Sequence, residues 1–207
     1  MTVDLYILAA GRSVRMGRPK PLVEIGGTCL LERAIRAGRQ SSVRSVTVVT
    51  GSHRSEVEAL ASDLDTGTVW NKRFRDGMAT SVALAARQAS IAADPADSLL
   101  LIGCDQPFLT AGVLNRMISA TGENRSRVVA CRYGKITGIP ALFPSDVWPE
   151  LLDLEGDHGA KSILRQHRDR LFPIVWEAGL INVNTAEDLD RIDPASLPDP
   201  RDPIMIV

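Results

Sequence analysis

A doubly wound, mostly parallel α/β sheet is the architecture this chain predicts. Short, apolar, β-rich runs alternate with amphipathic helical patterns along most of its length, the pattern of repeated βαβ units. The run Leu99–Gly103 has four large aliphatic residues before its glycine, as in a central strand buried on both faces. The 207 residues suit one domain with a full hydrophobic core.

Val3–Ala9 is the first expected strand, and Leu30, Leu31, Ala34 and Ile35 trace one face of the helix that follows. Ser45–Thr50 reads as a strand, Ser55–Leu64 as an amphipathic helix and Thr68–Trp70 as a short strand. A polar, basic loop, Asn71–Gly77, leads into the alanine-rich helix Met78–Ala93. Leu99–Gly103 is the central strand, Thr110–Ala120 a helix and Val128–Cys131 extended. After Tyr133 the pattern is interrupted by Gly134, Gly138, Pro140, Pro144 and Pro149, which predicts a small substrate-side extension. A helix near Ala160–Gln166 and short strands at Leu171–Val175 and Leu180–Val183 are expected within it. The last helix starts at about Ala186, with Thr185 as N-cap and Asp188 three residues on. The predicted division is a domain over residues 1–192 and a Pro-rich tail over 193–207, whose apolar end, Ile204–Val207, is expected to dock.

A net charge of −1 gives no global attraction to nucleic acid or to an anionic membrane. No apolar run approaches the roughly 20 residues of a bilayer span. The first residues run directly into strand without a basic leader, so a cytoplasmic location is expected. Cys29, Cys104 and Cys131 match neither a zinc pattern nor a disulfide framework, and packing roles are expected for them. Cys104 is notable only for preceding Asp105, and no histidine lies nearby in sequence to activate it.

The richest segment is Ile7-Leu-Ala-Ala-Gly-Arg-Ser-Val-Arg-Met-Gly-Arg-Pro-Lys-Pro-Leu22. An apolar strand enters a turn of small residues, Ala9, Ala10 and Gly11, whose backbone can approach a ligand closely and offer N–H groups to phosphate oxygens. Arg12, Arg15, Arg18 and Lys20 follow with no acidic residue among them. A triphosphate accounts for that charge, whereas solvated surface cations are the alternative, preferred for Arg18. Pro19 and Pro21 stiffen the backbone around Lys20. Asp105 closes the apolar strand Leu99–Gly103, where a carboxylate can hold Mg²⁺ that bridges phosphate oxygens. An ordinary loop or N-cap aspartate is the alternative there.

The signature resembles the L-A-A-G-x-S-x-R-M-G-x-x-K-x-L motif of small nucleotidyltransferases of the molybdopterin cytidylyltransferase type, in the MobA-like NTP transferase family. Gly77-Met-Ala-Thr-Ser81, Asp105-Gln-Pro107, Gly138-Ile-Pro-Ala-Leu-Phe143, Gly156-Asp-His-Gly-Ala160 and Asn182-Val-Asn-Thr185 continue the resemblance in order. It implies a Rossmann-like nucleotidyltransferase fold that moves CMP from CTP to the phosphate of a molybdopterin-type acceptor, with Mg²⁺ as cofactor. Arg15, Lys20 and Asp105 would be catalytic. Leu8, Ala9, Ala10, Gly11, Lys20, Asn71, Gly77, Ser81 and Asp105 would contact the nucleotide, and Gly138, Pro140, Asp157 and Gly159 the acceptor. Asp105 and Asn182 would be metal ligands, although Asn182 reads equally as a turn residue.

Departures from the pattern bear on substrate choice. Ile139 replaces a family histidine, Lys161 replaces an arginine, and Asn182-Val-Asn184 stands where the cytidylyl type often has Asp-x-Asp. Guanylyl-type relatives carry a similar Asn-x-Asn, while Ala10 sits where they have Gly, so CTP is expected and GTP is the nearest rival. Asp157 and His158 are candidates for acceptor contact or for a tight turn. Transfer to another phosphorylated metabolite, or a non-catalytic protein delivering the cofactor to a recipient molybdoenzyme, are the remaining alternatives.

Overall fold

The computed structural model describes residues 1–157 and 159–201; His158 and the apolar end Ile204–Val207 lie outside the described residues. The chain opens with β1 (Val3–Leu8), a two-strand hairpin of β2 (Glu24–Ile25) and β3 (Thr28–Cys29), and α1 (Leu30–Arg39). It continues through β4 (Ser45–Thr50), α2 (Arg54–Asp63), β5 (Gly67–Trp70), α3 (Met78–Ser90), β6 (Ser98–Gly103) and α4 (Ala111–Ser119). Then come β7 (Val128–Tyr133), β8 (Ile136–Pro144), α5 (Trp148–Leu152), α6 (Lys161–Gln166), β9 (Leu171–Val175) and α7 (Ala186–Asp190).

Seven strands form one sheet in the order β5-β4-β1-β6-β8-β7-β9, with β8 antiparallel to both neighbours and the other pairings parallel. Strand alternation sends Leu5, Ile7, Leu100 and Ile102 to one face, where they pack with Leu31, Ile35 and Leu114. Tyr6, Leu99 and Leu101 go to the other face, against Val82, Ala85, Ala86 and Ala89 of α3. Every residue of β6 is buried, as an apolar strand covered on both faces must be. The alanines of α3 bring that helix close to the sheet with little side-chain entropy to lose.

The region expected to be loosened by Gly and Pro contains the longest strand, β8, inserted between β6 and β7. Pro144 is the last residue of the strand, and Pro140 fits because the ladder to β7 is interrupted there. Ala130 pairs Ala141 while Cys131 pairs Gly138, so Ile139 and Pro140 fall in a bulge where a missing N–H removes no ladder bond. The expected strand Leu180–Val183 does not form. A 3₁₀ turn over Glu177–Leu180 precedes it, and the chain then crosses the end of β6, Val183 N–H donating to the Asp105 carbonyl at 2.9 Å. With no free strand edge at that point, the segment makes single contacts instead of a ladder.

A smaller cluster ties these parts together. Met16, Val23, Ile25, Leu30, Val183 and Ile192 bury one another, joining the basic segment after β1 to the segment over Asn182–Asn184. Beyond Ile192 the chain runs along α1: Arg33 donates to the carbonyls of Ile25 and Pro198, both at 2.9 Å, and Gln40 to that of Pro200 at 2.9 Å.

Candidate active site

β1 has β4 on one side and β6 on the other, so the order of winding reverses between β1 and β6. A crevice opens beyond the carboxyl ends of strands at such a reversal, and ligands of open α/β sheets bind there. A cleft of about 510 Å³ lies at this place. The turn after β1, residues 9–11, and the turn after β6, residues 104–105, form its floor. The basic segment closes one side; Phe74, Arg75, Met78, Ile139 and Asp157 close the other.

Each polar group has a local reason for its place. Ser13 takes a left-handed backbone (φ 53°), and its hydroxyl accepts the Lys20 N–H at 2.9 Å, folding the basic segment back on itself. Buried Met16 anchors the same loop from below. Lys20 Nζ then lies 2.9 Å from Asn184 Oδ1 and 3.4 Å from Asp105 Oδ2. An Arg15 nitrogen donates to the same Asn184 oxygen at 3.4 Å. A Cβ at Gly103 would stand 2.6 Å from Asp105 Oδ1, so the glycine leaves the room in which that carboxylate sits.

The far wall depends on a second close approach. Gly77 has φ 105°, and an added Cβ would meet the Gly156 carbonyl oxygen at 2.3 Å. That carbonyl accepts the Ala79 N–H at 3.0 Å, so the loop carrying Asp157 is hung on the first turn of α3. Buried Asn71 fastens the turn from behind, donating to Thr80 Oγ1 and Ser81 Oγ at 2.9 Å each and accepting the Arg73 N–H.

Of the residues singled out from sequence, Leu8, Ala9, Ala10, Gly11, Arg15, Lys20, Gly77, Ser81, Asp105 and Asp157 line the cleft. The Ala9 N–H is taken by the Val49 carbonyl at 3.0 Å, extending β1's pairing, so Ala9 brings its side chain but not a free N–H. Asn71, Gly138, Pro140, Gly159 and Asn182 are not among the cleft's lining residues. Asn71 is an internal brace. Gly138 admits the Tyr133 hydroxyl, which a Cβ would meet at 2.8 Å, and Gly159 packs on Met78. Between the buried Gly138 and Pro140, Ile139 faces the cleft, as strand alternation requires. Asn182 turns its amide onto the carbonyls of Gly179 and Leu180, at 3.1 and 3.2 Å. Asn184 takes the place in the cleft for which Asn182 was expected.

Phe74, Met78 and Val14 also line the cleft and were not singled out. Their signal was large apolar residues inside polar, glycine-bounded loops; Met78 is 53% and Val14 71% exposed. Cys104 lines the floor, but burial, and then the charge of Asp105, push its thiol up to about 12. That direction works against the thiolate a nucleophile needs.

A carboxylate and an amide oxygen converging on one ammonium form a hard-oxygen donor pair, suited to a divalent cation completed by phosphate oxygens and water. Among the described residues no group of three or more His, Cys, Asp or Glu offers a complete protein cage. Positive charge predominates, with Arg12, Arg15, Lys20 and Arg75 set against Asp105 and Asp157.

A cleft at the winding reversal, floored by a tight turn and a strand-end aspartate and edged by cations, defines a domain of the nucleotidyltransferase class. The chain belongs to the MobA-like NTP transferase domain family, whose pattern matches residues 5–171. It is 32% identical over 207 residues to the bifunctional protein GlmU of Cereibacter sphaeroides, covering 95% of this chain and 45% of that protein. The chain thus spans less than half of that relative's length. It superposes on a nucleotidyl transferase from Methanothermobacter with a TM-score of 0.77 at 25% identity, over 92% of this chain and 95% of the other. Rv0371c of Mycobacterium tuberculosis H37Rv, solved in complex with manganese, superposes with a TM-score of 0.72 at 25% identity, over 92% and 97%. Among the described residues no helix is long and apolar enough to cross a membrane.

Proposed function

We propose that the protein transfers CMP from CTP to the phosphate of a molybdopterin-type acceptor in the cytoplasm, releasing pyrophosphate. The observation that carries nucleotidyl transfer is the meeting of Lys20, Arg15, Asp105 and Asn184 at the carboxyl ends of β1 and β6. An acceptor phosphate oxygen forms a bond to the α-phosphorus while the bond from that phosphorus to the bridging oxygen of the β-phosphate breaks. Charge accumulates on the departing pyrophosphate, so cations and alignment are needed more than a protein nucleophile.

Lys20 and Arg15 hold the β- and γ-phosphates and neutralise the leaving group. Gly11 and Ala10 admit the phosphates close to the backbone. Asp105 and Asn184 hold Mg²⁺, which supplies charge neutralisation across the phosphates when bound. Ser81 and the Gly77 turn contact the base and ribose. Asp157 and Ile139, with Arg75, receive the acceptor. CTP is preferred because Ala10, buried in the cleft floor, narrows the space where the guanylyl type has glycine. GTP is the second reading, favoured by the amide at Asn184 in place of a carboxylate.

The test is pyrophosphate release by purified protein with Mg²⁺ and molybdopterin, comparing CTP, GTP, ATP and UTP. Release with CTP alone is expected. Release with GTP moves the protein to the second reading. No release with any of the four, where nucleotide still binds, transfers the donor site to another acceptor or to a carrier role.

A further inference from the structure

The oxygens of Asp105 and Asn184 already have a cation against them, and it is part of the chain. Lys20 Nζ lies 2.9 Å from Asn184 Oδ1 and 3.4 Å from Asp105 Oδ2, with Arg15 3.4 Å from the same amide oxygen. We propose that Lys20 is a tethered counter-ion that a divalent metal must displace, so that metal and nucleoside triphosphate bind with strong positive coupling. The proposal rests on the nucleotidyl-transfer reading above and concerns the order and energetics of loading that site.

Hard divalent cations sit about 2.1–2.5 Å from such oxygens. An ion and an ammonium 2.9 Å from the shared Asn184 Oδ1 would therefore lie within about 5.5 Å of each other. The Lys20 side chain is 18% exposed and that of Asp105 31%, so water screens their surroundings only in part. A repulsion of this kind is worth several-fold or more in affinity. The two cations cannot both occupy the oxygens at full strength; the metal binds once the ammonium has left.

Lys20 is built to leave without dragging its loop. Its backbone is fixed by the Ser13 hydroxyl and flanked by Pro19 and Pro21. The ammonium rides on a flexible four-carbon stem. Leaving a carboxylate and a carbonyl requires an equally anionic destination, and a triphosphate lying against Arg12 and Arg15 provides it. One movement thus serves both ligands: phosphates gain a cation, and the metal gains two freed oxygens. By linkage, the metal must tighten nucleotide binding by the same factor.

A merely structural ion pair makes the opposite prediction, since losing Lys20 would then only disorder Asp105 and weaken metal binding. Mn²⁺ is titrated into full-length protein by electron paramagnetic resonance, alone and with a non-hydrolysable CTP analogue, the analogue's own manganese binding being subtracted. Wild type is expected to bind Mn²⁺ weakly alone and some 5–150-fold more tightly with the analogue. Lys20→Met and Lys20→Gln should bind Mn²⁺ alone more tightly than wild type and show a smaller enhancement by the analogue, the remainder coming from direct metal–phosphate contact, although Lys20 is needed for turnover. Lys20→Arg keeps the charge and should remain weak, while Asp105→Asn should be weak throughout. Equal or weaker Mn²⁺ binding by two folded neutral variants, or a wild-type affinity indifferent to the analogue, would overturn the proposal. Failure of the parent reading has a separate sign: no triphosphate binds at any Mn²⁺ concentration, whereas comparing neutral variants with wild type in Mn²⁺ alone still decides whether Lys20 competes.

Discussion

Asp105 reaches the cleft because the strand before it ends in a residue without a side chain. Gly103→Ala should leave the fold intact, since Asp105 is the near neighbour that gives way, but it should swing the carboxylate aside. Pyrophosphate assays are expected to show a loss of turnover approaching that of Asp105→Ala, about 10²–10³-fold. Asn184 and Asn182 offer a sharper contrast. Asn184→Ala should cut turnover with little change in melting temperature. Asn182→Ala should lower stability by about 1 kcal/mol, through its two lost hydrogen bonds, and leave turnover nearly unchanged. Equal kinetic effects at both positions would refute this division of roles. The sequence located the pair and not the member, for a physical reason. Had the expected strand Leu180–Val183 formed and run on by one residue, residues 182 and 184 would share one face. The 3₁₀ turn ending at Leu180 breaks that alternation, and Asn182 is spent bonding it.

At the scale of elements, periodicity revealed β1, β4, β6 and the helices between them, because their burial follows simple alternation or a helical stripe. It hid β8, since Gly138, Pro140 and Pro144 look like punctuation until the structure shows Gly138 making room for the Tyr133 hydroxyl, Pro140 in the bulge opposite Ala130 and Cys131, and Pro144 at the strand's last position. It also hid the contact between α3 and the Asp157 loop, which is long-range and runs through backbone atoms. Gly77→Ala should be costly there. A positive φ and a collision with a carbonyl oxygen predict a loss of about 1–3 kcal/mol, read by chemical denaturation. α7 was legible from its first residue: Thr185 and Asp188 form a reciprocal capping box. Hydrogen bonds from the backbone N–H groups of Asn184 and Thr185 hold the Asp188 carboxyl below its ordinary value. Its folded value being the lower one, this contribution is fully present above the unfolded aspartate value near 3.8 and is lost as pH falls through the folded one. Asp188→Asn should therefore destabilise at pH 7 and have less effect well below pH 3.8, measured by denaturant midpoints at both pH values.

Across the whole molecule, the parallel half of the sheet sets the place of the cleft, and the chain after β8 completes its walls. The segment beyond Ile192 belongs to the same economy of contacts. Arg33 is 5% exposed and spans the Ile25 and Pro198 carbonyls, so ending the chain at residue 192 should lower the melting temperature by several degrees. An unchanged midpoint would show that the strap adds nothing. The cluster of Met16, Val23, Ile25, Leu30, Val183 and Ile192 has a further consequence. It makes the basic segment after β1 and the Asn184 segment a single mechanical part, though more than 160 residues separate Met16 from Val183 in sequence. Substitutions inside that cluster lie away from the cleft's polar groups, yet they should lower turnover as well as the melting temperature. A survey for impaired variants that looked only at the cleft would miss them, and natural variation at Met16 and Val183 should be read as variation in the active site.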